Sequence, residues 1–535
     1  MRISYSVENI RRLTQVDPVE IRPITVLVGR NSAGKSTFLR SLPLIRQSIE
    51  TRSSAPILWY GDLVDFGDFK TAISDDEKVG TAIFSFKVDD LTGRSRRTVS
   101  HQINYLIWYK TQNLHVRGLE VRYFVGAEGG KTVLKKISLK IPGEEIECEI
   151  IYRGRSGTGG TVSVNGEEIS QISQSFEIVN ASDNLFSSPS LISKVRDSTS
   201  NVRRRNSYQD VLVVELEKLL RRSVTRISSD DTFRTEVANI MSSKVCLNEV
   251  WSELAADAGT VSFKKFYQSM QHSGSSKVRN SVATIQKTFR SLQVLDLLSE
   301  KLTAFFLGVG YLGPARAAGE RYYRKQELEV SEILPNGSNL PMFLDSLSTN
   351  QKRAFSDWVE NLFGYGVELK SFEGHISINL KAGKNSVNVT DTGYGVSQIL
   401  PVLATVWWAS QRPAERWSAA HPRNTNIRTI AIEQPELHLH PAHQAKLADV
   451  FAEGIALGAR EHSTKIVNVL VETHSESLIN RLGELIEIGT LNKDDVQIVI
   501  FSAEDDINSP TKVSLAEFDD RGALTNWPFG FFNYS

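Results

Sequence analysis

Cysteine is nearly missing from this chain: Cys148 and Cys246 are the only two among 535 residues. Two thiols far apart, without the close spacing of a metal knuckle, exclude a disulfide framework and suit a reducing compartment. An excess of one charge is lacking too, because Lys+Arg and Asp+Glu both number 62. No global field draws the chain to nucleic acid or a membrane surface, so any such binding rests on local patches. The longest apolar stretch, around Ile399 to Ala409, falls short of the roughly 20 residues that span a bilayer. Met1-Arg2-Ile3-Ser4-Tyr5-Ser6-Val7 alternates like an edge strand and carries no apolar segment with a cleavage site. A soluble, cytoplasmic protein without a membrane partner is expected. Heptads sustained over many turns are also absent, which argues against long coiled-coil arms.

What is present is organised around Gly29-Arg30-Asn31-Ser32-Ala33-Gly34-Lys35-Ser36-Thr37, preceded by the apolar run Ile24-Thr25-Val26-Leu27-Val28 and followed by Phe38-Leu39-Arg40-Ser41-Leu42. It fits G-x-x-x-x-G-K-[ST] in the setting that pattern needs, a buried strand running through a glycine loop into a helix. Loop N–H groups and the positive helix end would surround phosphates, Lys35 would reach the β and γ oxygens, and Ser36 would ligate Mg²⁺. A nucleoside triphosphate is the expected ligand.

At 535 residues the chain exceeds what one core supports, so a main domain with at least one large insertion is expected. Residues 1–78 read as its N-terminal lobe, with two or three strands, a turn at Asp17-Pro18 and a connecting loop from Tyr60 to Phe69. Residues 79–185 change to short alternating runs, among them Thr81 to Val88, Thr98 to Tyr109, Gly118 to Phe124 and Ile146 to Tyr152. These suit an antiparallel sheet with one solvated face, and Arg153 to Gly160 reads as a hairpin tip. Residues 186–305 have mostly helical period, as in Val211 to Leu220 and Val294 to Leu298. They carry basic clusters at Arg203-Arg204-Arg205, at Lys218, Arg221, Arg222 and Arg226, and at Lys264-Lys265. Such clusters are solvated helix faces or, in the sharper reading, a nucleic-acid or partner surface. Residues 306–535 return to the main domain through Tyr311-Leu312-Gly313-Pro314-Ala315-Arg316, where Arg316 or Arg321 could meet a phosphate, a partner subunit or an ion-pair carboxylate.

Asp391-Thr392-Gly393-Tyr394-Gly395-Val396-Ser397-Gln398 reads as a glycine loop opening an apolar helix, Ile399 to Ala409, with Pro401 tolerated in its first turn. Ser397 and the free N–H groups there form an anion site or a simple cap. The next apolar strand ends Thr429-Ile430-Ala431-Ile432-Glu433-Gln434-Pro435-Glu436, and Glu433 is expected to emerge beside Ser36 as the second metal-side group. A helix from about Ala445 to Ile455 precedes another buried strand, Ile466 to Val471, which leads into Glu472-Thr473-His474-Ser475. His474 either reaches the γ-phosphate or attacking water, or is a satisfied histidine at a strand end. His438 and His440, beside Pro441, suit a structural or subunit-contact role better than a metal pair.

In combination these motifs resemble ABC-type ATPases of the SMC-like class, close to those of the overcoming-lysogenization-defect (OLD) group and of the Septu antiphage systems, the retron-associated PtuA family included. The resemblance is carried by the phosphate loop, Leu312-Gly313-Pro314-Ala315-Arg316, the signature-like Gly395-Val396-Ser397-Gln398, Ile432 to Pro441, Thr473-His474-Ser475, and the ending Asp520 to Leu524 with Trp527 to Phe532. It implies an α/β fold, an ABC-type P-loop ATPase head with a β-rich and a helical insertion. It also implies a homodimer or higher oligomer with ATP and Mg²⁺ between the phosphate loop of one subunit and the signature loop of the other. By that likeness Gly29, Asn31, Ser32, Ala33, Gly34, Lys35, Ser36 and Thr37 bind the nucleotide, Ser36 and Glu433 hold the metal, Gly395 and Ser397 cap the γ-phosphate in trans, and His474 is the switch histidine.

One position departs from the pattern. Gln434 stands where many relatives have the glutamate that polarises water, and a glutamine orients water without taking its proton. Slow hydrolysis, or a different base with Glu436 the nearest candidate, is expected. The resemblance points to an ATPase subunit of an antiphage system that controls a separate HNH-type nuclease and senses retron or phage nucleic acid. A nuclease of its own is not expected, since the stretch after Ser475 is short and Glu504-Asp505-Asp506 reads as an acidic surface loop. The competing readings are an SMC-like ATPase of DNA repair or chromosome organisation and, less favoured, a transporter's nucleotide-binding subunit.

Overall fold

A computed structural model describes residues 2–51, 53–74, 80–94, 113–153, 159–169, 176–180, 184–187, 189–193, 205–206, 208–224, 229–243, 248–272, 277–327, 329–411, 427–460, 466–502 and 510–527. The Thr98 to Tyr109 run, residues 154–158 of the expected hairpin tip, Arg203, Arg204, Arg226, Cys246, Glu504-Asp505-Asp506 and Pro528 to Phe532 lie outside the described residues. The chain divides into two compact units, one comprising Ser6–Thr51, Leu58–Asp76 and Ala304–Ser535, the other Met1–Tyr5, Arg52–Ile57 and Glu77–Thr303.

The unit that carries the motifs is built on a seven-stranded sheet in the order Val309–Leu312, Ile427–Glu433, Ile466–Glu472, Ile24–Gly29, Val496–Ser502, Lys512–Phe518, Leu524–Thr525. The first five strands run parallel, Lys512–Phe518 turns back antiparallel, and Leu524–Thr525 reverses once more against it. Ile24–Gly29 is buried along its whole length, as suits a parallel strand covered on both faces, and such strands read as runs rich in apolar residues. Helices Lys35–Glu50, Tyr394–Gln411, Pro441–Arg460 and Glu476–Glu487 belong to this unit, and the last three join its apolar core. Register then sets the site: Leu27 pairs with Glu472, and Glu472 pairs with Glu433. Three strand ends thus open side by side at the carboxyl edge of the sheet, where ligands of open α/β sheets bind.

Tyr394–Gln411 differs from expectation. The helix begins ahead of Ile399, so Pro401 sits in its interior and not in its first turn. An interior proline costs roughly 3 kcal/mol, whereas burying each large apolar side chain contributes about 1.5–3 kcal/mol. Ile399, Leu400, Val402, Leu403 and Val406 are all buried, and their sum outweighs the proline. Pro441–Arg460 likewise starts earlier than Ala445, with Pro441 as its first residue and the His440 carbonyl accepting from His443 N–H at 2.8 Å. Among the described residues no helix is long and apolar enough to cross a membrane.

The other unit holds an antiparallel meander, Thr81–Arg94, Asn113–Glu128, Lys131–Ile141, Ile146–Tyr152, Gly160–Val164 and Glu167–Glu168. Among the described residues the helices Tyr208–Ser223, Asp230–Ser242, Asn248–Ala256, Val261–His272 and Lys277–Leu307 follow, the last running on past Thr303, where this unit ends. The long last helix packs on the meander: Arg290 grips Glu144 with bonds of 2.6 and 2.9 Å, and Thr284 donates to Glu167 at 2.5 Å. Of the basic clusters, Lys218 pairs with Glu215 and Arg221 with Asp230, while Arg222, Lys264 and Lys265 are exposed. Cys148 is a buried free thiol whose pKa burial pushes up to about 12, so it is chemically quiet.

Candidate functional site

The phosphate loop turns through Ser32 and Gly34, both with positive φ, and the helix starts at Lys35 with no side chain capping its first N–H groups. Those groups carry the partial positive charge of the helix end. The loop is fixed from outside: Arg12 donates to the Ser32 carbonyl at 3.0 Å, and the Thr511 hydroxyl to that of Ala33 at 3.0 Å. Lys35, only 3 % exposed, folds along the inside of the loop and donates to the carbonyls of Gly29 and Arg30 at 2.7 and 2.8 Å. Burial lowers its pKa, against the pull of Glu472 and Glu436.

The Ser36 hydroxyl donates to Glu472 Oε1 at 2.9 Å, and Lys35 Nζ stands 3.9 Å from the same oxygen. Glu433, expected beside Ser36, spends its hydrogen bonds on other side chains. Its two oxygens accept from Arg40 Nε and Nη2 at 2.7 Å each, and Tyr311 donates its hydroxyl to Oε1 at 2.7 Å. The physical reason is the geometry of the helix: Arg40 lies four residues after Ser36, on the same face, and a guanidinium fork holds a carboxylate more strongly than a hydroxyl does.

After Glu433 the backbone reverses. Gln434 has φ +41, its N–H donates to the Glu472 carbonyl at 2.8 Å, and buried Arg316 donates to the carbonyls of Glu433 and Gln434 at 2.7 and 3.3 Å. Burial brings the Arg316 pKa down to about 10, with Glu436 and Glu433 opposing. Arg316 is therefore a brace for this turn. Arg321 instead pairs with Asp391 at the surface.

Glu436 returns beneath the loop, where its Oε1 accepts from the His474 backbone N–H at 2.7 Å. Burial raises the pKa of Glu436 and of Glu472, and it lowers that of His474, to which Lys35 adds. Glu436 Oε2, Glu472 Oε2 and His474 Nε2 are all buried without a hydrogen-bond partner. Three orphaned polar atoms around Lys35 and Ser36 are costly in a folded chain unless a ligand or water meets them. Hard oxygen donors beside a phosphate loop suit Mg²⁺, which takes one or two carboxylates with phosphate oxygens and needs no complete protein cage. Among the described residues no group of three or more His, Cys, Asp or Glu forms such a cage.

The family model described as an AAA ATPase domain (AAA_15) matches residues 1–479. The chain belongs to that AAA ATPase family. It is also similar to the SMC head domain from Thermotoga maritima, at 8 % identity over 96 % of this chain and 99 % of that one, with a TM-score of 0.32. The comparison with curated proteins found no match.

In this AAA ATPase Gly395 and Ser397 lie in the opening turn of helix Tyr394–Gln411. A Cβ on Gly395 would stand 2.7 Å from the His438 carbonyl oxygen, so close backbone approach explains that glycine. Ser397 packs beside Gly319, and neighbouring Gln398 is buried with its amide directed at the Arg316 and Ala317 carbonyls. His440 caps the following helix. Ser475 caps the helix after it, accepting from Leu478 N–H at 3.1 Å.

Sequence reasoning brought Lys35, Ser36, Glu436 and His474 to one place and passed over Glu472, Arg40 and Tyr311. A signal for Glu472 existed, since it ends a buried strand just as Glu433 does. Arg40 was legible only as a helical neighbour of Ser36, and Tyr311 stood at the head of the quoted segment Tyr311 to Arg316 without a role of its own.

Proposed function

We propose that this AAA ATPase binds ATP with Mg²⁺ and hydrolyses it slowly, as the ATPase subunit of an antiphage system that assembles with and controls a separate HNH-type nuclease. The observation that carries the ATP part is the set of unpartnered buried atoms of Glu436, Glu472 and His474 around Lys35 and Ser36. Loop N–H groups and Lys35 would hold phosphate oxygens, and Ser36 with a strand-end carboxylate would hold Mg²⁺. The metal, when bound, neutralises phosphate charge; the chain's own residues position and exclude water. Gly395 and Ser397 would meet the nucleotide of a second copy, which makes a homodimer or higher oligomer the working form.

The defence role is supported by the joint resemblance of the phosphate loop, the signature-like loop, Ile432 to Pro441 and Thr473-His474-Ser475 to Septu and OLD-group ATPases. The test is phage challenge of cells carrying this gene with its neighbours, beside a Lys35→Ala version, with a pull-down of the tagged chain. Protection that depends on Lys35 and co-purification of a small nuclease are expected. Unchanged plaque counts together with sensitivity to DNA damage on deletion would replace the defence role by a repair ATPase.

A further inference from the structure

We infer that Glu472, rather than Glu433, is the carboxylate that holds the divalent cation beside Ser36; this rests on the reading that the site takes Mg²⁺ with ATP. The two acids end neighbouring strands in the same register, so position alone does not separate them. Their hydrogen bonds do. Glu433 already receives two charge-assisted bonds from Arg40 and a third from Tyr311, and turning it to a cation would break that fork. Glu472 receives only the neutral Ser36 hydroxyl on Oε1, and its Oε2 has no partner although the residue is 3 % exposed.

The spacing fits as well. Ser36 Oγ and Glu472 Oε1 are 2.9 Å apart, and two adjacent oxygens of an octahedral Mg²⁺ at about 2.0–2.1 Å stand roughly 2.9 Å from each other. The pair is therefore already at the separation of adjacent ligands. Charge points the same way: the cation nearest Glu472 is Lys35 at 3.9 Å, long for an ion pair between two buried groups, so the carboxylate gains from a second cation. Glu433 becomes a positioning residue. It anchors Arg40 and Tyr311, while its own carbonyl is held by Arg316, and so supports the turn that delivers the Gln434 N–H to the Glu472 carbonyl.

The test uses the purified full chain, Mn²⁺ as the probe read by electron paramagnetic resonance, and a fluorescent ATP analogue titrated with and without EDTA. Glu472→Gln is expected to keep metal-free nucleotide binding within about threefold of the wild type, the loss of one weak contact. It should weaken Mn²⁺ binding at the nucleotide site by at least about 100-fold, while Glu433→Gln stays within the roughly tenfold low end expected of a supporting residue. Glu472→Asp, which keeps the charge, should recover part of the Mn²⁺ affinity. The reverse order of losses, or equal losses, overturns the assignment. No nucleotide binding by folded wild-type protein, in EDTA or with metal, overturns the ATP reading itself and this assignment with it.

Discussion

Arg40 lays its guanidinium against both carboxylate oxygens of Glu433, at 2.7 Å each, and the acid is buried while the arginine is partly open. The pair ties the helix after the phosphate loop to the end of the strand two places away in the sheet. Removing one member of a buried pair leaves an uncompensated charge, a loss of about 3–5 kcal/mol. Because the Arg40 side chain retains 30 % exposure, the low end applies. Arg40→Ala is expected to lower unfolding stability in urea by about 3 kcal/mol, and adding Glu433→Gln should restore at least half of it. A double variant no better than the single would show that Arg40 acts through packing and not through Glu433.

Gly483 lies inside helix Glu476–Glu487, where intrinsic propensity favours alanine by about 1 kcal/mol. The tertiary structure reverses that preference. A Cβ at Gly483 would overlap the Gly522 carbonyl oxygen, and one at Gly522, whose φ is +70, would overlap that of Gly483. Backbone faces backbone, so no side chain can swing away. Gly483→Ala is expected to destabilise the protein by about 1–3 kcal/mol, measured as a shift of the denaturation midpoint at constant slope. A stabilised variant would mean that the 519–523 turn yields easily.

The same contrast separates what was legible in the chain from what was not. Strands Ile24–Gly29, Ile427–Glu433 and Ile466–Glu472 could be read because burial on both faces leaves runs rich in apolar residues, and the phosphate loop because its turn dictates residue types at fixed spacing. Which way Glu433 turns could not be read. That depends on Arg40, 393 residues earlier, and on Tyr311, which reaches the acid from the adjoining strand. The start of helix Tyr394–Gln411 was hidden for a related reason. Gly393 and Gly395 look like loop residues, yet Gly395 is small because the His438 carbonyl lies against it.

Burial raises the pKa of Glu436 above that of an unfolded glutamate, about 4.3. Its neutral form is the one the folded state favours, so the stability it contributes is full below that unfolded value and is lost as pH rises through the folded one. Glu436→Gln keeps a neutral side chain at every pH. Without nucleotide or divalent cation, the melting temperature of Glu436→Gln minus that of the wild type should therefore increase from pH 4 toward neutrality and then level off. A difference that stays flat over this range would mean that the carboxyl is not displaced from its ordinary titration.

Gln434 and Glu436 divide the possible chemistry of hydrolysis between them. Gln434 follows strand Ile427–Glu433 directly, held in its reversed backbone by Arg316 and by the Glu472 carbonyl, but its amide cannot accept a proton. Glu436 can, and a buried carboxylate with one free oxygen and a raised pKa is better matched to neutral pH than an exposed one. A positioned general base contributes about 10²- to 10⁴-fold. If Glu436 is the base, Glu436→Gln should lower single-turnover ATP hydrolysis by roughly 10²-fold or more while nucleotide affinity holds. Gln434→Glu, which adds a carboxylate one residue after Glu433, should raise the rate by at least about tenfold. Slow turnover in the wild type, unchanged by Glu436→Gln and released by Gln434→Glu, would instead make bound ATP a long-lived clamp between subunits, whose loss and not whose cycling frees the partner.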